Sequence, residues 1–194
     1  RPTTCRITEE LGGTSLPTPT RSGHRFDGWW SSTTGGTYYG AGGQQPLMSL
    51  PTDGSQIQAR GTAVSLTPSA TTISVNEGSA ISPWSVTPGA FSPTSFTVTP
   101  ALPTGLSFDS SNGQISGTPT ASHPATTHTI TASDGTNSAS TSVTIEVIGL
   151  ATVSFAPGGG RLTDPQSQTA PVGNSIALPV VTRAGFTFDG WFTE

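Results

Sequence analysis

Lysine is absent from this chain, and charged residues of every kind fill only 9% of its 194 positions. An ordinary soluble domain carries about 25%. The seven arginines are scattered, so no basic patch exists to hold a phosphate backbone, and nucleic acid is not an expected partner. No apolar run approaches the ~20 residues that span a bilayer, so membrane insertion is not expected either. Cysteine occurs once, at Cys5, which excludes an internal disulfide and with it the disulfide-stapled secreted domains. Cys5 has no partner pattern of a nucleophile, since His24, His123 and His128 lie in unrelated contexts. There is no Gly-x-Ser-x-Gly elbow and no His-Glu-x-x-His, and the runs Gly40–Gly43 and Gly158–Gly160 carry no Lys-Ser/Thr. Eleven carboxylates are spread thinly, and nothing selects the facing pair that glycoside cleavage needs. A non-enzymatic chain is the expectation.

What is present is a repeat. Arg21-Ser-Gly-His-Arg-Phe-Asp-Gly-Trp-Trp30 returns as Arg183-Ala-Gly-Phe-Thr-Phe-Asp-Gly-Trp-Phe192, with Leu16-Pro17 and Leu178-Pro179 upstream in the same register. A repeat identifies an array of modules. The register aligns Arg1 with Thr163 and Glu194 with Ser32, so both copies are expected to be incomplete. The first copy would lack the counterpart of the strand-like Ala151–Ala156, leaving that segment unpartnered in the second. Only the stretch between the copies is expected to be a complete domain.

Helix signals are nearly absent, because Gly, Pro and β-branched clusters interrupt almost every window. Short alternating runs recur instead. Thr72–Val75, Ser95–Val98, Leu106–Phe108, Gln114–Ser116, Thr127–Ala132 and Ser142–Val147 are predicted strands. In the last, Val143, Ile145 and Val147 share one face. Turn chemistry at Asn112-Gly113 and Asp134-Gly135 bounds them, the pattern of a β-sandwich. Disorder is rejected because disordered chains are poor in such alternation and usually highly charged.

Ala101-Leu-Pro-Thr-Gly-Leu-Ser-Phe-Asp109, with Asn112-Gly-Gln-Ile-Ser-Gly-Thr-Pro119 and Ala132-Ser-Asp134, resembles an immunoglobulin-like domain common in bacterial surface proteins, with a cadherin-like build. Leu16-Pro17 through Gly23-His-Arg-Phe-Asp-Gly-Trp29 and Gly35-Gly36-Thr37, together with Ala151-Thr-Val-Ser-Phe-Ala-Pro-Gly-Gly-Gly160, resembles the internalin-type B-repeat, or Listeria–Bacteroides repeat. That resemblance implies a β-grasp-like fold on secreted or wall-attached bacterial proteins. The expected architecture is therefore all-β. A central immunoglobulin-like β-sandwich, 63–149, is flanked by two incomplete β-grasp-like modules, 1–62 lacking its first strand and 150–194 the front part of a second copy. Short linkers are expected at Thr62–Ala63 and Gly149–Leu150.

Phe26, Trp29, Trp84, Leu106, Phe108, Ile115, Phe188 and Trp191 are the expected core residues, because large aromatics bury the most area where aliphatics are few. Gly28 is expected to allow a tight turn, with Asp27 capping it. The sharper alternative makes Trp29 and Trp30 a sugar-stacking platform, and the exposure of these residues and of Tyr38–Tyr39 discriminates the two. Glu77, Asp109 and Asp134 at predicted turns are the calcium candidates, since that cation takes several oxygen ligands. The dense Asp-x-Asp spacing of a strong site is missing, so solvated turn acids are preferred and no cofactor is expected.

These residues point to a non-catalytic segment of a bacterial cell-surface or secreted protein, a spacer or stalk with a role in adhesion. Its expected partners are neighbouring modules and a host or cell-wall glycan or protein. Two alternatives stand beside this. One is a carbohydrate-binding appendage of a secreted glycosidase. The other is a filament or sheath subunit that self-associates by strand addition through Ala151–Ala156, with Val153 and Phe155 inward.

Overall fold

The structure is a computed structural model that describes residues 15–32, 34–46, 56–162 and 166–193. Cys5 lies outside the described residues. Strands are the only regular elements among those described.

In the front module, β1 (His24–Trp30) lies between β2 (Tyr38–Gly40) and β3 (Gln58–Ala63) in an antiparallel sheet. Leu16, Trp29, Tyr39 and Ile57 form its core, with Phe26 and Ala59 packed against it. The Phe-Asp-Gly-Trp element makes no turn. It runs through the middle of β1, whose pairing to β3 steps from Phe26↔Gly61 to Gly28↔Arg60 and leaves Asp27 unpaired. This is a β-bulge, one extra residue accommodated by a local kink. Gly28 is required on two counts: its φ is +123°, and a Cβ there would stand 2.4 Å from Tyr38 Cε2. Asp27 is turned outward, where it pairs with Arg25 at 2.9 Å and accepts a hydrogen bond from the Thr62 hydroxyl.

The middle module is a two-layered β structure. One layer is a sheet ordered β5 (Thr72–Asn76), β11 (Ser138–Ile148), β10 (His123–Ser133) and β7 (Ser95–Thr99). β5 runs parallel to β11, and the other pairs are antiparallel. Two ribbons complete the module: β4 (Ser65–Pro68) with β6 (Val86–Gly89), and β8 (Leu106–Phe108) with β9 (Ile115–Gly117). Alternation along β10 and β11 buries Ile130, Ala132, Val143 and Ile145 against Leu66, Ile81, Trp84, Phe91, Phe96 and Ile115. Trp84 and Ile115 exchange backbone hydrogen bonds at 2.9 and 3.0 Å, and the Trp84 indole donates to the Ala70 carbonyl at 2.6 Å. Gly117 closes the β8–β9 ribbon at φ +123°, where a Cβ would stand 2.4 Å from the Gly105 carbonyl oxygen.

In the rear module, β12 (Leu150–Ser154) pairs with β14 (Ser167–Pro171), and β13 (Arg161–Leu162) with β15 (Val181–Thr182). Two expectations are corrected here. The segment Ala151–Ala156 is not unpartnered, because β14 takes β12 as its neighbour in full register. Val153 is 44% exposed rather than inward, while Phe155 is buried at 5.2 Å from the Trp191 ring.

The junctions also differ from the expected linkers. Thr62 and Ala63 are strand residues paired with Arg25 and His24, and Leu150 opens β12. Only Val64 separates β3 from β4, and only Gly149 separates β11 from β12. The Val64 N–H donates to the Gly23 carbonyl of the front module at 2.9 Å, while its side chain packs on the middle core.

Candidate functional site

Trp29 is fully buried and Tyr39 nearly so, so neither offers a ring to a ligand. Trp30 and Tyr38 are half-buried and lie against each other at 4.8 Å between ring centres. The Arg60 guanidinium sits 4.2 Å over the Trp30 ring, a cation–π contact. That cation is itself fixed: Nε and Nη2 donate to the Ser32 carbonyl at 2.9 and 2.7 Å, and Nη2 also reaches the Gly35 carbonyl. The Arg60 cation is thus satisfied within the cluster and ties β3 to the loop after β1, while the buried Trp30 indole N–H has no hydrogen-bond partner among the described residues. A sugar-binding row needs free ring faces, and these residues present a closed stack. Sequence reasoning passed over Arg60, because β3 (Gln-Ala-Arg-Gly-Thr-Ala) has no apolar alternation to mark it as a strand.

Of the other expected core residues, Trp84 and Ile115 are buried, and Phe26, Leu106 and Phe108 are half-buried against their cores. Trp191 is half-buried and Phe188 is 45% exposed. Phe188 lacks the cover that β3 gives Phe26, since the stretch Phe186–Phe192 has no strand neighbour among the described residues. Its edge contact with Trp191 nevertheless matches the front copy: 5.6 Å and 69°, against 6.0 Å and 70° for Phe26–Trp29.

The three calcium candidates are not brought together. Asp109 accepts from the Ser111 N–H and hydroxyl and from Asn112 Nδ2, at 2.6 to 2.9 Å. The Ser111 hydroxyl, then its N–H, hold the Asp109 carboxyl below its ordinary value. Asp134 accepts from the Thr136 and Asn137 N–H groups and from Asn137 Nδ2. The Asn137 N–H and side chain are the main causes of its own lowered value. Both carboxylates are spent inside their own turns. Glu77 lies at the rear junction, where its N–H donates to the Ile148 carbonyl at 2.8 Å. No cluster of three metal-ligating side chains occurs among the described residues.

His128 is fully buried, and its Nδ1 stands 3.0 Å from the Pro100 carbonyl oxygen. A carbonyl only accepts, so Nδ1 carries the proton and the ring is oriented by the backbone. The distinctive geometry of the described chain thus lies in the closed Trp30–Arg60 stack, the locked aspartate turns and the two one-residue junctions.

Residues 47–148 match the family model described as "Putative Ig domain". Residues 3–48 and 152–194 match that of the Listeria-Bacteroides repeat domain. The first match begins upstream of β3, a strand that the structure assigns to the front sheet. No curated protein matches the chain. Domains of these two kinds are typical of extracellular or surface bacterial proteins, and together they suggest a modular segment of one. The chain belongs to the Putative Ig domain family through residues 47–148, set between two stretches of Listeria-Bacteroides repeat.

Proposed function

We propose that this chain is a non-catalytic spacer in a cell-surface or secreted bacterial protein, holding a neighbouring module at a fixed reach. The observation that carries this reading is the pair of junctions. Strand follows strand with one residue between, Val64 at the front and Gly149 at the rear. Val64 is fastened on both sides, by its N–H to Gly23 and by its side chain to the middle core. At the rear, a Cβ on Gly149 would stand 3.1 Å from Ser122 Cβ, so the chain leaves the sandwich in close contact with it. Joints of this kind resist bending, and a stalk needs that. Neighbouring modules of the same protein are the partners this reading requires.

Small-angle scattering tests it. The chain is compared with a variant carrying a Gly-Ser insertion after Val64 and another after Gly149. A rigid spacer gives a narrow distribution of dimensions that the insertions broaden. A distribution as broad before insertion as after it rejects the spacer.

A further inference from the structure

Arg161 and Arg183 line one open depression of about 490 Å3 in the rear module. Gly159, Thr182 and Ala184 complete its wall, and none of these residues is acidic. The pairing Arg161↔Thr182 puts Arg161 beside the end of β15, and Arg183 is the next residue along the chain. Both are exposed, and neither forms an ion pair with a described residue, where Arg25–Asp27 is the only one. Two cations on one wall repel each other, and among the described residues no carboxylate pairs with either, in a chain whose net charge is −4. Arg183 is also held in place. Its guanidinium lies 4.0 Å over the Phe186 ring, and Nη1 comes within 3.5 Å of where a Cβ on Gly159 would be. Stacking fixes the plane of a guanidinium and leaves its edge N–H groups free to donate.

We infer that this depression binds an acidic polysaccharide through the oxyanion groups on its sugar rings, either carboxylate or sulfate. A planar guanidinium fork suits the two or three oxygens of such a group, and the Thr182 hydroxyl adds a neutral donor on the same wall. Phe186 favours a saccharide over an acidic peptide. Arg183 covers one face of its ring, yet the ring is 65% exposed, so apolar surface for a sugar ring remains beside the cation for its acid. This inference is independent of the spacer reading, because it requires nothing of the junctions.

Calorimetric titration of the whole chain at low ionic strength tests it, with oligogalacturonate carrying carboxylates, dextran sulfate carrying sulfates, and polyglutamate as the peptide anion. The tighter of the two saccharides identifies the acid group. Arg161→Gln and Arg183→Gln are each expected to weaken saccharide binding about tenfold or more, as loss of a charge-assisted hydrogen bond does. Arg183→Lys keeps the charge but loses the fork, and weakens binding by a smaller factor. Arg21→Gln, at the position matching Arg183 in the front copy, leaves binding unchanged. Thermal melts of the exposed-arginine variants should match that of the parent chain. The inference is overturned if neither saccharide binds, if Arg21→Gln weakens binding as much as the rear-module variants, or if polyglutamate binds as tightly as the saccharides.

Discussion

The indole N–H of Trp29 donates to the Pro17 carbonyl at 2.8 Å, and the same bond joins Trp191 to Pro179 at 3.1 Å in the second copy. The two copies otherwise differ greatly. Trp29 sits in a three-stranded sheet, whereas Trp191 lies in a stretch with no strand neighbour among the described residues. Gly28 and Gly190 even share a backbone conformation, with φ of +123° and +132°. The Trp-to-Pro bond and the glycine conformation before the tryptophan therefore occur both with and without sheet pairing.

Trp29→Ala is expected to unfold the front module. Removing a buried large aromatic costs about 3–5 kcal/mol, most of what so small a core supplies. Scanning calorimetry should show the front transition lost and that of the middle module retained. A variant that keeps both transitions would show that the indole is not the keystone of this core.

Gly28→Ala tests the bulge. The new methyl would meet Tyr38 Cε2 and would also have to adopt φ +123°, so both sterics and backbone oppose it. A strained residue of this kind costs about 1–3 kcal/mol. Chemical denaturation should show the front module weakened by at least that much, while Asp27→Asn, on the solvent side, has a smaller effect.

A fragment from Val64 to Gly149 is expected to melt in one cooperative step, because it contains every strand of the middle core. Within it, Ile115→Ala should destabilise by about 2–5 kcal/mol, since Ile115 is fully buried and its backbone is bonded to that of Trp84, just before β6. Multiphasic melting by circular dichroism would contradict these boundaries.

Acid should loosen the two aspartate turns. Asp109 and Asp134 both titrate below the ordinary 3.8 in the folded chain. A depressed folded value means that their stabilisation is complete above 3.8 and is lost as pH falls through the lower folded value. Asp109→Asn and Asp134→Asn should flatten that acid limb in a pH series of melts, and leave the melt at neutral pH less stable than the parent's.

Chelation should leave the melting temperature of the middle module unchanged, because the same two carboxylates already take their hydrogen bonds from Ser111, Asn112, Thr136 and Asn137. A ligand that binds only the folded state must raise its stability. A marked drop on adding a calcium chelator would therefore restore the metal reading.

Much of this fold was legible. The alternation in Ser142–Val147 marks the inner face of β11, and the Asn112-Gly113 turn marks the β8–β9 ribbon. β3 was not legible, because a strand whose residues are all half-buried or exposed has no apolar period to display. Phe-Asp-Gly-Trp read as a turn because Asp-Gly is turn chemistry. Only the neighbouring strands, and the Tyr38 ring against Gly28, make it a bulge. The paired arginines of the rear module were invisible for a similar reason. Arg161 and Arg183 are far apart in sequence, and only the β13–β15 pairing brings them to one wall.

The one-residue junction at Val64 has a consequence for how the chain is cut. A protease must draw several unpaired residues into its cleft, and it finds them at exposed loop tips. Here the boundary offers a single residue, with strand on either side and its N–H already bonded. Digestion will therefore not separate the modules at their borders. Nicks should fall within the front module, at exposed positions such as Gly43 and Gln44, and the fragments released should carry β3 still attached to the sandwich.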